Sequence, residues 1–457
     1  MQVYLRTLGC RLNEAELQTW SQQFIDTGYE ISNKLDKADV MILNTCAVTG
    51  EAARKSRQIL RRMHRENTSA KLVVTGCYAS LDESEAAEIL GVDLVIPNSK
   101  KDHLVELINE QFRLDGELLP TMPAFATEPG EAALFIRNRD RAFIKIQDGC
   151  RYKCSYCIVT KARGSEKSRT ISHIVKEING LSVSGVNEVV LTGVHVGGYG
   201  SDLGVTLKDL IEAILLDSDI KRVRFASVEP WDLPEGFFNL FDNKRLMPHM
   251  HLPLQSGSNT VLRRMSRRCN QQSFLSIMQQ ARKYVSGFNA TTDIIVGFPG
   301  ETDYEWQESL EFIQRIGFGH VHIFSYSHRE GTRAAKLEQQ LSSAVKKQRS
   351  KELTVIAKTM KSAALQKMIG QKVEVLWESG VKQVSQGRFN YSGYTPNYHR
   401  VNVELAGDAT RQILPVTLQQ LSSDESMLVG DVELSIQSRL TPLNSSKTAP
   451  LISVKQL

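Results

Sequence analysis

A chain of 457 residues, 41% of them hydrophobic, is long enough for roughly three domains and a sizeable core. No apolar run approaches the ~18 residues of a membrane span, and the N-terminus enters a strand pattern without a signal-peptide layout, so a cytoplasmic, non-membrane protein is expected. The net charge of +5 fits a nucleic-acid partner only weakly, while seven cysteines, an odd number, argue for ligands or reactive thiols over a disulfide framework.

Residues 1–112 alternate strand and helix patterns, which predicts a mostly parallel α/β sheet. Three β-rich runs, Val3–Gly9, Val40–Thr45 and Lys71–Gly76, each end in a cysteine just before a helical stretch: Cys10, Cys46 and Cys77. The steps of 36 and 31 residues match a βα unit. Parallel strands end along one edge, where ligands usually bind, so three cysteines far apart in sequence can converge there. Each alone reads as a small buried residue. Three in register favour a ligand set.

From 113 to 140 the pattern lapses around Pro120, Pro123 and Pro129, which reads as a linker. Strand–helix alternation resumes over 141–369, with strands expected near 142–147, 187–192, 222–228, 249–254, 290–296 and 320–326. Helices are expected near 171–184, 206–217, 234–241, 259–285 and 302–316. Six βα units suit a partial (βα)6 barrel whose chemistry sits at the carboxyl ends of the strands.

The first of those strands runs into Cys150-x3-Cys154-x2-Cys157. Thiolates at this spacing can wrap one face of an iron–sulfur cluster, and three ligands on a four-iron cube leave one iron open. A zinc loop that borrows a distant fourth ligand has the same spacing. Spacing alone leaves both open. Later strand ends carry Thr192–Gly198, Ala226–Pro230, Pro253–Ser258 and Asp293–Glu301, where glycine admits close backbone approach and polar residues supply hydrogen bonds.

A polar helix over about 335–369 leads to short strands at Lys372–Trp377, Val384–Phe389, Arg400–Leu405 and Val432–Gln437, the pattern of a small all-β barrel over 370–440. Tyr391–Arg400 between them reads either as an exposed aromatic face for RNA or as a turn whose rings pack on the barrel. Residues 441–457 read as a polar tail.

The cysteine loop with Tyr156 at its aromatic position resembles the defining loop of radical SAM enzymes. With Cys10, Cys46 and Cys77 before it and the β-barrel after it, the chain resembles the methylthiotransferase branch. Thr7–Asn13, Asn44–Thr49, Gln147–Cys150 and Gly393–Tyr398 are most similar to members that act on N6-threonylcarbamoyladenosine in tRNA. The resemblance implies a methylthiotransferase domain, a radical SAM domain and a TRAM RNA-binding domain. It implies two [4Fe-4S] clusters, one on Cys150, Cys154 and Cys157, the other on Cys10, Cys46 and Cys77, and S-adenosylmethionine (SAM) as cofactor. In the family one SAM donates a methyl and another yields the radical that takes hydrogen from C2 of adenosine 37, where a methylthio group is installed.

The same resemblance places Tyr156, Gly193, His195 and Gly198 near the SAM methionine, with Ser227, Glu229, Gln255, Asp293, Ile295 and Gly297 along its ribose and adenine. Arg163, Lys167 and Arg169 are candidate tRNA-phosphate contacts, and Cys269 is a bystander thiol. The implied partners are the tRNA anticodon stem-loop and an electron donor such as flavodoxin or ferredoxin, with the sulfur donor unknown. Alternatives are a methylthiotransferase for isopentenyladenosine tRNA, one for ribosomal protein S12, and a non-enzymatic, zinc-stabilised RNA-binding protein.

Overall fold

The computed structural model describes residues 1–112, 140–385, 387–437 and 440. The expected linker and tail lie outside the described residues, apart from Asp140 at the linker's end. The N-terminal unit is a five-stranded parallel sheet in the order β2-β1-β3-β4-β5: β1 (Gln2–Thr7), β2 (Glu30–Ile31), β3 (Val40–Thr45), β4 (Lys71–Gly76) and β5 (Val92–Ile96). All six residues of β3 are buried, as its continuous apolar run requires of a central strand covered on both faces. Val40 and Ile42 pack toward Trp20 and Phe24 of helix Arg11–Asp26, whereas Met41 and Leu43 pack toward Leu60 and Met63 of helix Gly50–Glu66. Thr49 starts that second helix, its side chain accepting from Ala52 N at 3.1 Å. The register pairs Thr7 with Asn44 and Thr45 with Gly76, so the three cysteine-bearing strand ends lie side by side.

The second unit contains two three-stranded parallel sheets. β6 (Ala142–Lys145), β9 (Glu188–Thr192) and β10 (Arg222–Phe225) form one; β11 (His249–His251), β12 (Asn289–Val296) and β13 (His320–Ser325) form the other. Parallel bridges Val223–Leu246 and Ser227–His251 join them into a partial barrel. A short hairpin, β7 (Gln147–Asp148) with β8 (Lys167–Ser168), brackets the cysteine loop. The expected helix at 259–285 is two helices, Asn259–Arg264 and Gln271–Tyr284. Ser266 takes a left-handed φ of 57° and Asn270 caps the second helix, so the chain turns between them. The run at 234–241 contributes only 3-10 turns, Phe237–Asp242. The polar helix is Ser343–Gln366, preceded by a 3-10 turn at Ala334–Lys336 rather than continuous from 335.

The third unit is a β-barrel in the order β14-β18-β19-β17-β16-β15, closed by pairing of β14 with β16. Its strands are β14 (Lys372–Trp377), β15 (Lys382–Ser385), β16 (Arg388–Tyr394), β17 (Arg400–Leu405), β18 (Ile413–Leu421) and β19 (Leu428–Asp431). The expected strand at Val384–Phe389 straddles the β15–β16 turn, where Gly387 has φ 74°. The expected strand at Val432–Gln437 is largely the short helix Leu434–Gln437. Sequence reading overlooked β18, because Pro415 interrupts a run whose Leu414, Val416 and Leu418 nevertheless alternate inward.

This barrel seats on the amino-terminal end of the partial barrel. Arg222 donates to Glu374 O at 2.9 Å, Asn289 to Asn397 O at 2.7 Å and Asn187 to Arg411 O at 2.7 Å. The reading of Tyr391–Arg400 as an exposed RNA face is therefore overturned. Tyr391 is fully buried and donates to Gly407 O. Tyr394 stacks on Tyr398 at 4.7 Å, and Arg141 lies over Tyr394 while Arg224 lies over Tyr398, each at 4.7 Å. Among the described residues no helix is long and apolar enough to cross a membrane.

Candidate active site

The carboxyl edge of the N-terminal sheet gathers Cys10, Cys46 and Cys77. Gly9, at φ 122°, passes so close that a Cβ there would lie 2.8 Å from Cys46 Cβ and 3.1 Å from its Sγ. Gly76, at φ 94°, would meet Thr45 O at 2.4 Å. The strand ends thus converge with glycine before two of the three cysteines, Cys10 and Cys77, while Thr45 precedes Cys46. Asn98 Nδ2 lies 3.9 Å from Cys77 Sγ, and Cys10 Sγ lies 3.7 Å from Asn13 Oδ1. Burial pushes the Cys46 thiol up to about 12, reinforced by the neighbouring Cys10 and Cys77. Cys10 lies exposed at the rim of the set, within reach of the Arg163 cation. Three free thiols gathered beside the Arg163 guanidinium fit a ligand set whose metal supplies the missing charge.

The second set sits on the loop after β6. Cys157 N donates to Cys154 O at 3.1 Å, curling the three side chains to one side. Backbone amides of Tyr152 and Val159 lie 3.4 Å from the sulfurs of Cys150 and Cys157, and Arg267 lies 4.0 Å from that of Cys154. Such donors suit cluster-bound thiolates. Burial raises Cys150 to about 12 and Cys157 to about 11. The break between helices Asn259–Arg264 and Gln271–Tyr284 holds this loop: Ser155 N donates to Met265 O at 2.9 Å, and Arg267 lies 4.3 Å over Trp231. Tyr156 packs with Ile295 against Phe298 and Tyr326, fastening the loop to β12.

Gly193 and His195 form the floor behind the loop. Gln147 Oε1 accepts from Val194 N at 3.1 Å and His195 N at 2.9 Å, and a Cβ on Gly193 would approach it to 2.9 Å. His195 is fully buried between Glu166 (2.5 Å) and Asp232 (2.7 Å), and Gly198 leaves room for its ring. Burial would lower the His195 pKa, but Asp232, Glu229 and Glu166 outweigh it and raise it. Its ring nitrogens are thus spent on carboxylates, which makes it a brace for the loop. Sequence reading missed Glu166 and Asp232, which carry no motif beyond an acidic residue near a turn.

Glu229 is the member of the expected SAM set with spare capacity. Its Oε2 is buried with no hydrogen-bond partner, and burial raises its pKa. Gln255 adopts φ 75° and joins β12 through Asp293 O at 2.8 Å and Ile295 N at 2.9 Å. Ser227 is half-buried where β10 meets β11. Asp293 lies 3.2 Å from His251. Gly297 instead packs against Lys346 and donates to Glu301 at 2.9 Å, a role in joining β12 to helix Ser343–Gln366.

Helix Val159–Arg163 connects the two cysteine sets, and it packs on helix Cys77–Leu81. Asn98 donates to Ala162 O at 2.7 Å. The expectation that Arg163 contacts tRNA phosphate is overturned: its side chain is 2% exposed and bonds Glu16, Asp148 and Asn13. Arg169 donates to Lys145 O and Glu177. Lys167 remains open to solvent, near Asp102 at 3.1 Å. Cys269 is buried beside Arg267, the same guanidinium that lies 4.0 Å from Cys154 Sγ.

Residues 2–97 match the family model described as uncharacterized protein family UPF0004, and residues 144–313 match the radical SAM superfamily. The threonylcarbamoyladenosine tRNA methylthiotransferase MtaB of Bacillus subtilis is 34% identical over 427 residues, spanning 91% of this chain and 93% of that protein. MtaB of Thermotoga maritima is 34% identical over 92% of this chain and 95% of its own length. The tRNA-2-methylthio-N(6)-dimethylallyladenosine synthase of B. subtilis is 33% identical over 94% and 86%. The radical S-adenosylmethionine methyltransferase TsrM of Kitasatospora setae shares the fold, with TM-score 0.52 at 15% identity over 71% of this chain and 74% of that one. Two family models in tandem, and relatives aligned nearly end to end above 30% identity, place this chain in the radical SAM methylthiotransferase family.

Proposed function

We propose that this protein adds a methylthio group to C2 of N6-threonylcarbamoyladenosine 37 in tRNA, working in the cytoplasm on the anticodon stem-loop. Cys150, Cys154 and Cys157 would hold one [4Fe-4S] cluster, with SAM bound beside it, and Cys10, Cys46 and Cys77 would hold the other. Bound there, the clusters and SAM supply the electron, the hydrogen-abstracting radical and the methylthio group, chemistry for which no side chain has the reach. An aromatic C–H offers no proton that a tuned carboxylate or imidazole could remove.

The chain's own part is placement. Gly9 and Gly76 let three strand ends close on one point, and the loop amides and Arg267 offer charge-stabilising contacts to the other sulfurs. The unpaired Glu229 Oε2 supplies an acceptor suited to a ribose hydroxyl or ammonium group beside Cys150. A reductant of the flavodoxin or ferredoxin kind would feed the clusters. The two cysteine triplets, joined through helix Val159–Arg163, carry this reading.

Mass spectrometry of nucleosides after incubating reconstituted enzyme with SAM, reductant and threonylcarbamoylated tRNA tests it. The expected product is the 2-methylthio derivative. Unchanged nucleoside, or stoichiometric zinc in place of iron and sulfide in the anaerobically purified protein, would reject it.

A further inference from the structure

Below the cluster loop, the inner wall of the partial barrel carries His251, Asp293 and His322; Asp293, which the resemblance sets along the SAM ribose and adenine, bonds His251 at 3.2 Å and shares a face with His322. The register pairs Thr291 with His320, Asp293 with His322 and Ile295 with Phe324, so alternate residues of β12 and β13 share one face. His251 enters from β11, opposite Thr291. A nitrogen from each of His251 and His322 and an oxygen of Asp293 lie within 4.8 Å of one another. His320, His322 and Phe324 are exposed although they face this wall, so the space before them is open. The wall begins one row, about 7 Å, below Ile295, which packs on Tyr156 of the cysteine loop.

Arg11 reaches this space from the other unit. It follows Cys10 directly, and its guanidinium sits 4.9 Å over the ring of Phe143 on β6. Phe143 packs with Val190 and Ala226 on the inner face of the first half-barrel. Among the described residues, Arg11 bonds Glu14 through Nη1. His322, whose ring offers an N–H in either protonation state, lies within electrostatic reach of His251, Asp293 and Arg11.

A base whose C2 lies between the two cysteine sets must send its N6 substituent somewhere. Resting on the function proposed above, we infer that Arg11, His251, Asp293 and His322 form the subsite for the threonylcarbamoyl group and select it against dimethylallyl. Arg11 and His322 donate to the threonyl carboxylate, while Asp293 accepts from the carbamoyl N–H or threonyl hydroxyl. Thr291 receives or donates at His251 Nδ1 at 2.9 Å, which fixes that ring with Nε2 toward Asp293. A dimethylallyl group has neither donor nor acceptor and would strand these groups without water.

The test compares three stem-loop RNAs on the fully loaded holoenzyme: one with threonylcarbamoyladenosine, one with its carboxylate converted to a primary amide, and one with dimethylallyladenosine. Anaerobic fluorescence anisotropy gives Kd and mass spectrometry gives kcat/KM. The wild type should prefer carboxylate over amide by about 10- to 100-fold, the range of a charge-assisted hydrogen bond. Arg11→Gln and His322→Leu should each bring that ratio within about threefold. Equal use of carboxylate and amide by the wild type would overturn the inference, and so would variants that keep the wild-type ratio. A wild type that thiolates only the dimethylallyl RNA would overturn the function itself, a separate result. Should a variant fail to load its clusters, the wild-type ratio alone decides.

Discussion

Arg163 Nη1 stands 2.9 Å from Glu16 Oε1, with 2% and 3% of the two side chains exposed. The pair joins the N-terminal sheet unit to the partial barrel. Asp148 extends it at 3.0 Å, Lys101 bonds both carboxylates, and Arg163 reaches Asn13 beside Cys10 at 2.6 Å. Arg163→Met leaves buried carboxylates short of a partner, which costs about 3–5 kcal/mol. Denaturant unfolding should show that loss, and the added Glu16→Gln change should recover part of it.

The same network sets an acid limit. Burial alone would raise the Glu16 pKa, but Arg163, Lys101 and Lys145 hold it down at about 2. Its folded value lies below the ordinary 4.5, so the stabilisation is complete above about pH 4.5 and fades as pH falls toward about 2. The melting temperatures of wild type and Glu16→Gln should therefore differ at pH 7 and converge as pH drops below 4.5. A gap that stays constant to pH 3 would contradict this.

Gly9→Ala should selectively damage the first cysteine set, because its Cβ would press on Cys46. Iron in the anaerobically reconstituted protein should fall from about eight to about four atoms per chain. The low-temperature EPR signal of the cluster on the Cys150 loop should persist.

Cys154→Ala should abolish SAM cleavage. Cys46→Ala should leave cleavage largely intact and stop methylthiolation. Wild-type thiolation by the Cys46 variant would remove the second cysteine set from the mechanism.

Tyr398 joins the β-barrel to the barrel strands through Arg224 at 4.7 Å and His249 at 4.7 Å. Tyr398→Ala should lower stability by about 2–4 kcal/mol, as loss of a packed aromatic does. Its effect on tRNA Kd should stay below about threefold, whereas a stacking platform for RNA would lose far more.

The grouping of the cysteines was legible in the sequence because it follows from local patterns and their spacing. Cys150, Cys154 and Cys157 lie on one loop, and Cys10, Cys46 and Cys77 follow strand-like runs at βα intervals, so residue type and position alone implied two metal sites and their order. The six barrel strands were legible from local strand-like patterns at βα spacing, although β10, β11 and β13 alternate charged or histidine residues with apolar ones.

Only the tertiary structure decided which polar groups are used up. Arg163 resembles a solvated phosphate contact, and Tyr394 and Tyr398 resemble an RNA face, until Glu16 and Arg141, more than a hundred residues away, close over them. Burial is set by segments remote in sequence, and it determines whether a cation is free for a ligand or already neutralised. The wall of His251, Asp293 and His322 belongs to the same class: three strands had to align before their spacing existed.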